Sequence, residues 1–163
     1  MIIRRFKRED SVETSQLIAR TLRECNSKDY TQEFIESNIK SHSSDIIIKR
    51  AQESHMYVIC DNLKIVGCGA IAGYYGSTVE SILLTVFILP EYQGIGLGRK
   101  LIDTLEKDEY FLRAHRIEIP SSITSVDFYI KMGYQYKNGI KKLDSEQLYR
   151  LEKFRWTIKL VHK

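Results

Sequence analysis

The residues whose types and spacing carry the clearest chemistry run from Gln93 through Gly94, Ile95, Gly96, Leu97 and Gly98 to Arg99 and Lys100, directly after an apolar run closed by Pro90. Glycine lets the main chain turn sharply and lets a ligand approach the backbone closely. Leu97, Leu101, Ile102 and Leu105 repeat at helical spacing, so the glycines open a helix. The first N–H groups of a helix have no internal acceptor, and the dipole is positive at that end. Together these features cradle an anion, most naturally phosphate. Helix first turns favour Asp and Glu, yet this one opens with Arg99 and Lys100 and has no acid before Asp103. Two cations at the positive end of a dipole are unfavourable unless an anion sits between them and the backbone. A solvated glycine loop with ordinary surface cations is the alternative. Three glycines plus misplaced cations after an apolar strand favour phosphate over it.

The common phosphate motifs fail on required residues. No GxxxxGK[ST] string is present. A dinucleotide fingerprint begun at Gly94 or Gly96 needs a small residue where Arg99 or Leu101 stands. Other chemistries are weaker still. His42, His55, His115 and His162 show no HxxxH or HExxH spacing, so no metal site is expected. There is no GxSxG elbow. Cys60 and Cys68 could face each other across a hairpin but read as small buried hydrophobes. His115 reads as a loop residue. Lys137, Lys141 and Lys142 read as a solvated loop rather than a nucleic-acid contact.

The elements that must position the loop form an α/β pattern. Ile2 to Phe6 predicts a short strand. Asp10 with Glu13 resembles a helix-starting capping arrangement, followed by Leu17, Ile18, Thr21, Leu22 and Cys25 at helical spacing. Thr31 to Ser41 predicts a second helix, and Ile46 to Ile48 reads as a helical turn or a strand, with the turn favoured. Met56–Cys60 and Lys64–Tyr74 predict a hairpin about Asp61-Asn62-Leu63. Ser81 to Leu89 predicts a strand buried on both faces, Arg116 to Pro120 a short strand, and Ser122 to Met132 a helix capped by Gly133. A strand starts at Tyr134, and Phe154, Trp156, Ile158 and Leu160 alternate with polar residues as a half-buried strand.

The 163 residues fit one domain, with no repeat or linker to divide them. A net charge of +4, with both signs interleaved, suits an anionic ligand but does not mark a nucleic-acid binder. Three cysteines in no CxxC pair point to free thiols in a reducing compartment. The N-terminus lacks the apolar core of a signal peptide, and the longest apolar stretch is about half of what a membrane helix needs. The expectation is a cytoplasmic protein with neither membrane nor nucleic acid as a partner.

Gln93-x-x-Gly96-x-Gly98 matches the Q/R-x-x-G-x-G/A pattern, and here the chain resembles the GNAT family of acetyl-coenzyme A-dependent N-acetyltransferases. Val86 to Gly94 resembles the family's fourth strand entering its pyrophosphate loop. Phe128-Tyr129-x-x-Met132-Gly133-Tyr134 is similar to its later FYxxxGF/Y motif, and the flanks follow the family's order of elements. The resemblance implies a single N-acetyltransferase domain over 1–163, with a mixed, mostly antiparallel sheet of about six to seven strands flanked by helices.

It also implies roles. Backbone of Val86, Phe87 and Ile88 would pair with the pantetheine arm of acetyl-coenzyme A. The N–H groups of Gly94, Ile95, Gly96, Leu97, Gly98 and Arg99 would hold the pyrophosphate, with Gln93 closing the loop. Tyr129 would protonate the departing thiolate, the alternative being a structural aromatic. Glu80, at a spacing where some members carry a general base, would accept the amine proton directly or through water, the alternative being a solvated strand-end glutamate. Phe128 and Ser122 join the coenzyme-binding set, although Ser122 stands where the family often has Asn, and Ser125 where Ala is usual. The acceptor would be a small-molecule or peptide amine in a pocket of the first two helices and the region around Tyr74 and Tyr75. No metal is implied, and the family is compatible with a homodimer. A coenzyme A-binding regulatory module without transfer activity is the competing class.

Overall fold

The computed structural model describes residues 1–155. Its centre is a seven-stranded sheet in the order β1-β2-β3-β4-β5-β7-β6. The strands are β1 Ile2–Arg5, β2 His55–Asp61, β3 Lys64–Gly73, β4 Glu80–Ile88, β5 Arg116–Ser121, β6 Gln135–Tyr136 and β7 Tyr149–Phe154. Every neighbouring pair is antiparallel except β4 and β5. Helices α1 Ser11–Thr21, α2 Gln32–Lys40, α3 Ser44–Gln52, α4 Leu97–Leu105, α5 Glu109–Leu112 and α6 Val126–Lys131 complete it. The mixed, mostly antiparallel sheet agrees with the expectation from sequence. Among the described residues no helix is long and apolar enough to cross a membrane.

The predicted hairpin forms, with Asn62 in the left-handed region (φ 54°) at its turn. The Ile46–Ile48 turn lies inside α3, where Ile47 is fully buried and the Ser43 hydroxyl accepts from the Ile46 N–H. Thr31 caps α2 through the Phe34 N–H at 3.1 Å. On one face of the sheet Leu101 and Leu105 of α4 pack against Gly69 of β3. A Cβ at Gly69 would lie 3.2 Å from both leucines, which is why glycine suits that point.

Several expectations fail in instructive ways. Asp10 does not cap α1; its carboxylate takes the Lys7 N–H and pairs with Arg4 at 2.8 Å. Glu13 instead accepts from the Ile65 N–H of β3. The first helix leaves α-geometry after Thr21 and continues as a π-helical turn over Leu22–Asn26. The wider turn buries Leu22 and Asn26 and leaves Cys25 half-exposed toward Gln93. The helix expected over Ser122–Met132 shrinks to Val126–Lys131, because Ser122 accepts from the Ser125 N–H and Thr124 donates to Asp29, holding the first residues in a turn. Strand β7 ends at Phe154; Trp156, Ile158 and Leu160 lie outside the described residues. Strand β4 is buried over Ser81–Leu83 but only half-buried over Val86–Ile88, so it is not covered on both faces throughout.

Lys137 is also not a solvated loop residue. Its ammonium lies 2.8 Å from Glu118 and over the ring of Tyr74. Glu118 is nearly inaccessible and also bonds Arg116, which reaches Glu152 at 2.8 Å. Burial pushes the Glu118 carboxyl up, but Lys137 and Arg116 outweigh it and hold the group below its ordinary value.

Candidate active site

The site begins where β4 parts from β5. The parallel pairing covers only Glu80–Ile82 against Arg116–Glu118. Beyond Ile82 strand β5 runs on with β7, while β4 stays with β3 alone. One edge of Leu83–Ile88 therefore has no strand partner among the described residues, leaving main-chain donors and acceptors for an extended amide-bearing molecule.

The open half of β4 is also bulged. Cys68 pairs with Phe87 and Ala70 with Leu84, so Thr85 and Val86 together oppose Gly69. Thr85 has φ 58°, a conformation a β-branched residue adopts at a cost of about 1–3 kcal/mol. Two braces hold it. The Arg50 guanidinium of α3 donates to the Thr85 hydroxyl at 2.8 Å, and the Cys68 thiol donates to the Thr85 carbonyl at 3.2 Å. Burial pushes the Cys68 thiol up to about 12, so it stays protonated and remains a donor.

The strand leads directly into the glycine loop. Pro90–Tyr92 form one 3-10 turn, fixed by the Tyr92 hydroxyl on Asp61 at 2.6 Å and by Arg20 of α1 on Glu91 through two contacts of 2.7 Å. Gln93 folds back to donate to the Ile88 carbonyl at 2.9 Å, closing the loop on the strand end. Gly94 and Gly96 have φ of 77° and 87°, and no atom lies within 4 Å of where a Cβ would stand at either. They are required for backbone conformation, not for space inside the protein. Gly96 offers no side-chain cap to α4, and the first intrahelical bond is from Lys100 to Gly96. The preceding N–H groups are left for an external acceptor, and Ile95, Arg99 and Lys100 are exposed around them. No carboxylate lies within 4 Å of Arg99 or Lys100 among the described residues. Leu97 turns inward and is buried. Gly98 is different: a Cβ there would lie 3.0 Å from the Phe128 ring, so glycine lets Phe128 seat against the start of α4.

Tyr129 stands on α6, whose end is set by Gly133 in the left-handed region and by the Tyr134 N–H on the Tyr129 carbonyl. Its ring is 5% exposed, edge-on to Phe128 at 5.2 Å and to Tyr134 at 6.2 Å. Burial, with Cys68 adding to it, pushes its phenol well above the ordinary value, so it is a proton carrier at neutral pH. No hydrogen bond among the described residues uses its hydroxyl. Ser122 is engaged in its turn, its Oγ accepting from Ser125 N and donating to Ser125 Oγ, both at 3.1 Å. Glu80 lies at the other end of β4, 3.7 Å from Arg116 and 3.8 Å from His115. By strand rise it is roughly 16 Å from Thr85. The structure thus gathers the loop, Val86–Ile88, Phe128 and Tyr129, and sets Glu80 apart.

A cavity of about 300 Å³ adjoins β4, lined by Arg50, Tyr75, Ile82 and Leu84 among others. Its helix wall comes from α3 rather than from α1 and α2. Tyr74 turns away from it to lie over Arg116 and Lys137. A hollow of about 330 Å³ on α1 is lined by helix residues alone and touches neither β4 nor the glycine loop. Sequence reasoning passed over Arg50 and the Thr85 bulge. The single available signal was Thr85 itself, a polar residue interrupting the apolar run.

The fold has solved relatives. A PaiA N-acetyltransferase from Thermoplasma acidophilum, solved in complex with coenzyme A, superposes with TM-score 0.78 at 20% identity, covering 94% of this chain and 98% of its own. A GCN5-related N-acetyltransferase from Rhodopseudomonas palustris gives 0.77 at 19% identity, covering 94% of each chain. An aminoglycoside 6'-acetyltransferase type Ii gives 0.63 at 20%, covering 94% and 97%. Among curated proteins none matches the chain significantly. The family model of the acetyltransferase (GNAT) domain matches residues 16–144, most of the sequence and all of the parted strand, glycine loop and Tyr129 helix, and the chain belongs to that family.

Proposed function

We propose that the protein is a single-domain N-acetyltransferase that moves an acetyl group from acetyl-coenzyme A to a primary amine of a small molecule or peptide, by direct attack in a ternary complex. The observation that carries this reading is the continuity of two unsatisfied backbone surfaces. The open edge of Leu83–Ile88 runs straight into the free N–H groups around Gly94–Arg99. An extended arm ending in a diphosphate satisfies both at once. Exposed Arg99 and Lys100, unfavourable at a bare helix N-terminus, suit a bound polyanion.

Acetyl-coenzyme A would supply an activated thioester. Backbone N–H groups of Val86 and Phe87 orient the arm and polarise the carbonyl; Gln93 already occupies the Ile88 carbonyl and stiffens the loop entrance. The amine nitrogen bonds to the acetyl carbon, the carbon–sulfur bond breaks, and Tyr129 donates its proton to the departing sulfur. The amine proton leaves to water. Glu80 is too distant for direct contact at the bulge and acts, in this scheme, as the far end of a water path. Three free cysteines fit a reducing compartment.

Titration calorimetry with acetyl-coenzyme A, followed by thiol-release assays over a broad amine panel, tests the proposal. Saturable heat and turnover on at least one amine are expected. Heat without turnover on any amine would favour a regulatory coenzyme-binding module, and no heat would remove both readings.

A further inference from the structure

Arg50 stands apart from the other shielded arginines, of which Arg155 donates to the backbone carbonyls of Phe111, Leu112 and Ala114. Arg4, Arg116 and Arg150 each lie within 3.0 Å of a carboxylate oxygen. Arg50, half-buried at the end of α3, has no carboxylate within 4 Å among the described residues, and its hydrogen bond there is to the Thr85 hydroxyl. Burial pulls its guanidinium below its ordinary value, and Cys68 and then Glu53 offset this only in part. The group still keeps its charge at any working pH. A guanidinium presents five donors, so a single hydroxyl leaves most of the fork unused. Arg50 lines the cavity beside β4 together with Ile82, Leu84 and the highly exposed Tyr75.

We infer that the cavity takes an amine acceptor bearing a carboxylate, bound by Arg50 next to the Thr85 bulge. The inference rests on the transferase reading and names its substrate class. A carboxylate matches the guanidinium fork with two parallel bonds. An α-amino acid seated that way has its nitrogen close to Thr85 and Val86, where the open strand would hold the thioester. The volume of about 300 Å³ is at the small end of ligand sites, and so suits an amino acid-sized molecule. Glu53 on the same lining leaves little net positive charge, which suits a monoanion over a dianionic phosphate. Tyr75 and the two aliphatic side chains provide an apolar wall for the acceptor's side chain.

The test compares amino acids with the amines that remain when the α-carboxylate is removed, such as phenylalanine with phenethylamine and leucine with isopentylamine. Spermidine and kanamycin serve as polycationic controls. In the parent, kcat/KM favours the carboxylate-bearing member of at least one pair by about tenfold or more, the range expected of a charge-assisted hydrogen bond. Arg50→Gln collapses that ratio toward one. Because Arg50 also braces the bulge, melting temperature and coenzyme affinity are read on the same variant, and Arg50→Lys, which keeps charge without the fork, should retain part of the ratio. A purely bracing role would slow both members of a pair alike and leave the ratio unchanged, overturning the inference. Turnover confined to spermidine, kanamycin or the decarboxylated amines would also overturn it, with the transferase reading intact. If no amine turns over, calorimetry of N-acetylphenylalanine on the coenzyme A-loaded protein decides. Weaker binding to Arg50→Gln than to the parent supports the anion site, and equal or absent binding refutes it.

Discussion

The two ends of strand β4 are built on opposite plans. At Ser81 and Ile82 the strand is paired on both edges, and its neighbour β5 carries Arg116 and Glu118 in a buried network with Glu152 and Lys137. At Leu83–Ile88 one edge is bare, Thr85 is strained, and the braces are single hydrogen bonds from Arg50 and Cys68. The closed end fixes where the two strands part by means of side-chain charges. The open end offers backbone and keeps its side chains for packing. Stability and binding are thereby assigned to different stretches of one nine-residue strand, which makes the division testable.

The largest effect should come from the closed end. Glu118→Gln leaves Arg116, Lys137 and Arg150 short of a shared anion in a buried setting, a loss of about 3–5 kcal/mol. For a chain of this size that is about 6–20 °C in melting temperature. Coenzyme affinity of the folded protein should change little. A variant that melts like the parent but binds coenzyme poorly would invert the assignment.

Tyr129→Phe tests the open end. It removes one hydroxyl that no hydrogen bond among the described residues uses, so melting temperature and coenzyme affinity should hold. Turnover should fall about 100-fold, within the usual span for general acids. Single-turnover thiol release compared with calorimetry separates the two quantities; parent-like turnover would return Tyr129 to a packing role.

How much of this was legible beforehand follows the same division. The geometry of the glycine loop could be read because glycine spacing dictates that backbone locally. The place of Tyr129 on the helix ended by Gly133 could be read because the motif fixes that spacing. The bulge could not, since a β-branched Thr85 at φ 58° contradicts its own local preference and exists only because Arg50 and Cys68, distant in sequence, hold it. Lys137 looked like one lysine of a solvated cluster, because nothing in its neighbourhood announces a buried Glu118 nineteen residues earlier. The π-helical turn at Leu22–Asn26 keeps an apolar pattern that reads equally well as α-helix, yet it decides whether Cys25 or Asn26 is buried. The α6 start was misplaced because Ser122, Thr124 and Ser125 bond to nearby groups and compete with helix formation.

A smaller effect is expected at the seam between loop and helix. Gly98→Ala puts a methyl 3.0 Å from the Phe128 ring, and overpacking of this kind costs about 1–3 kcal/mol. The ring must shift or α4 must move, so coenzyme affinity should fall by about tenfold, the lower part of that cost. Phe128→Leu in the same chain removes the clash, and the double variant should bind better than Gly98→Ala alone. A purely additive loss would show that Phe128 does not set the position of the loop.

The smallest effect contrasts the two acidic anchors. Arg20 holds the exposed Glu91 carboxyl down to about 2, its hydrogen bonds being the chief cause, while Glu118 is held below its ordinary value inside the protein. In both cases the folded form binds its proton less readily than the unfolded chain. The stabilisation is therefore present above the ordinary carboxylate value and disappears as pH falls through the folded one. Glu91 lies in solvent, so screening leaves little of its pairing as stability; its larger consequence is to tether Pro90–Tyr92 to α1. Melting curves of the parent and Arg20→Gln should accordingly differ slightly near neutral pH and converge between pH 4.5 and 2, while added salt narrows the gap at every pH. The Glu118→Gln deficit should resist salt, because its partners are shielded from counterions. If salt erased both differences equally, the closed end of β4 would owe its stability to surface charge, and the contrast between the two ends would dissolve.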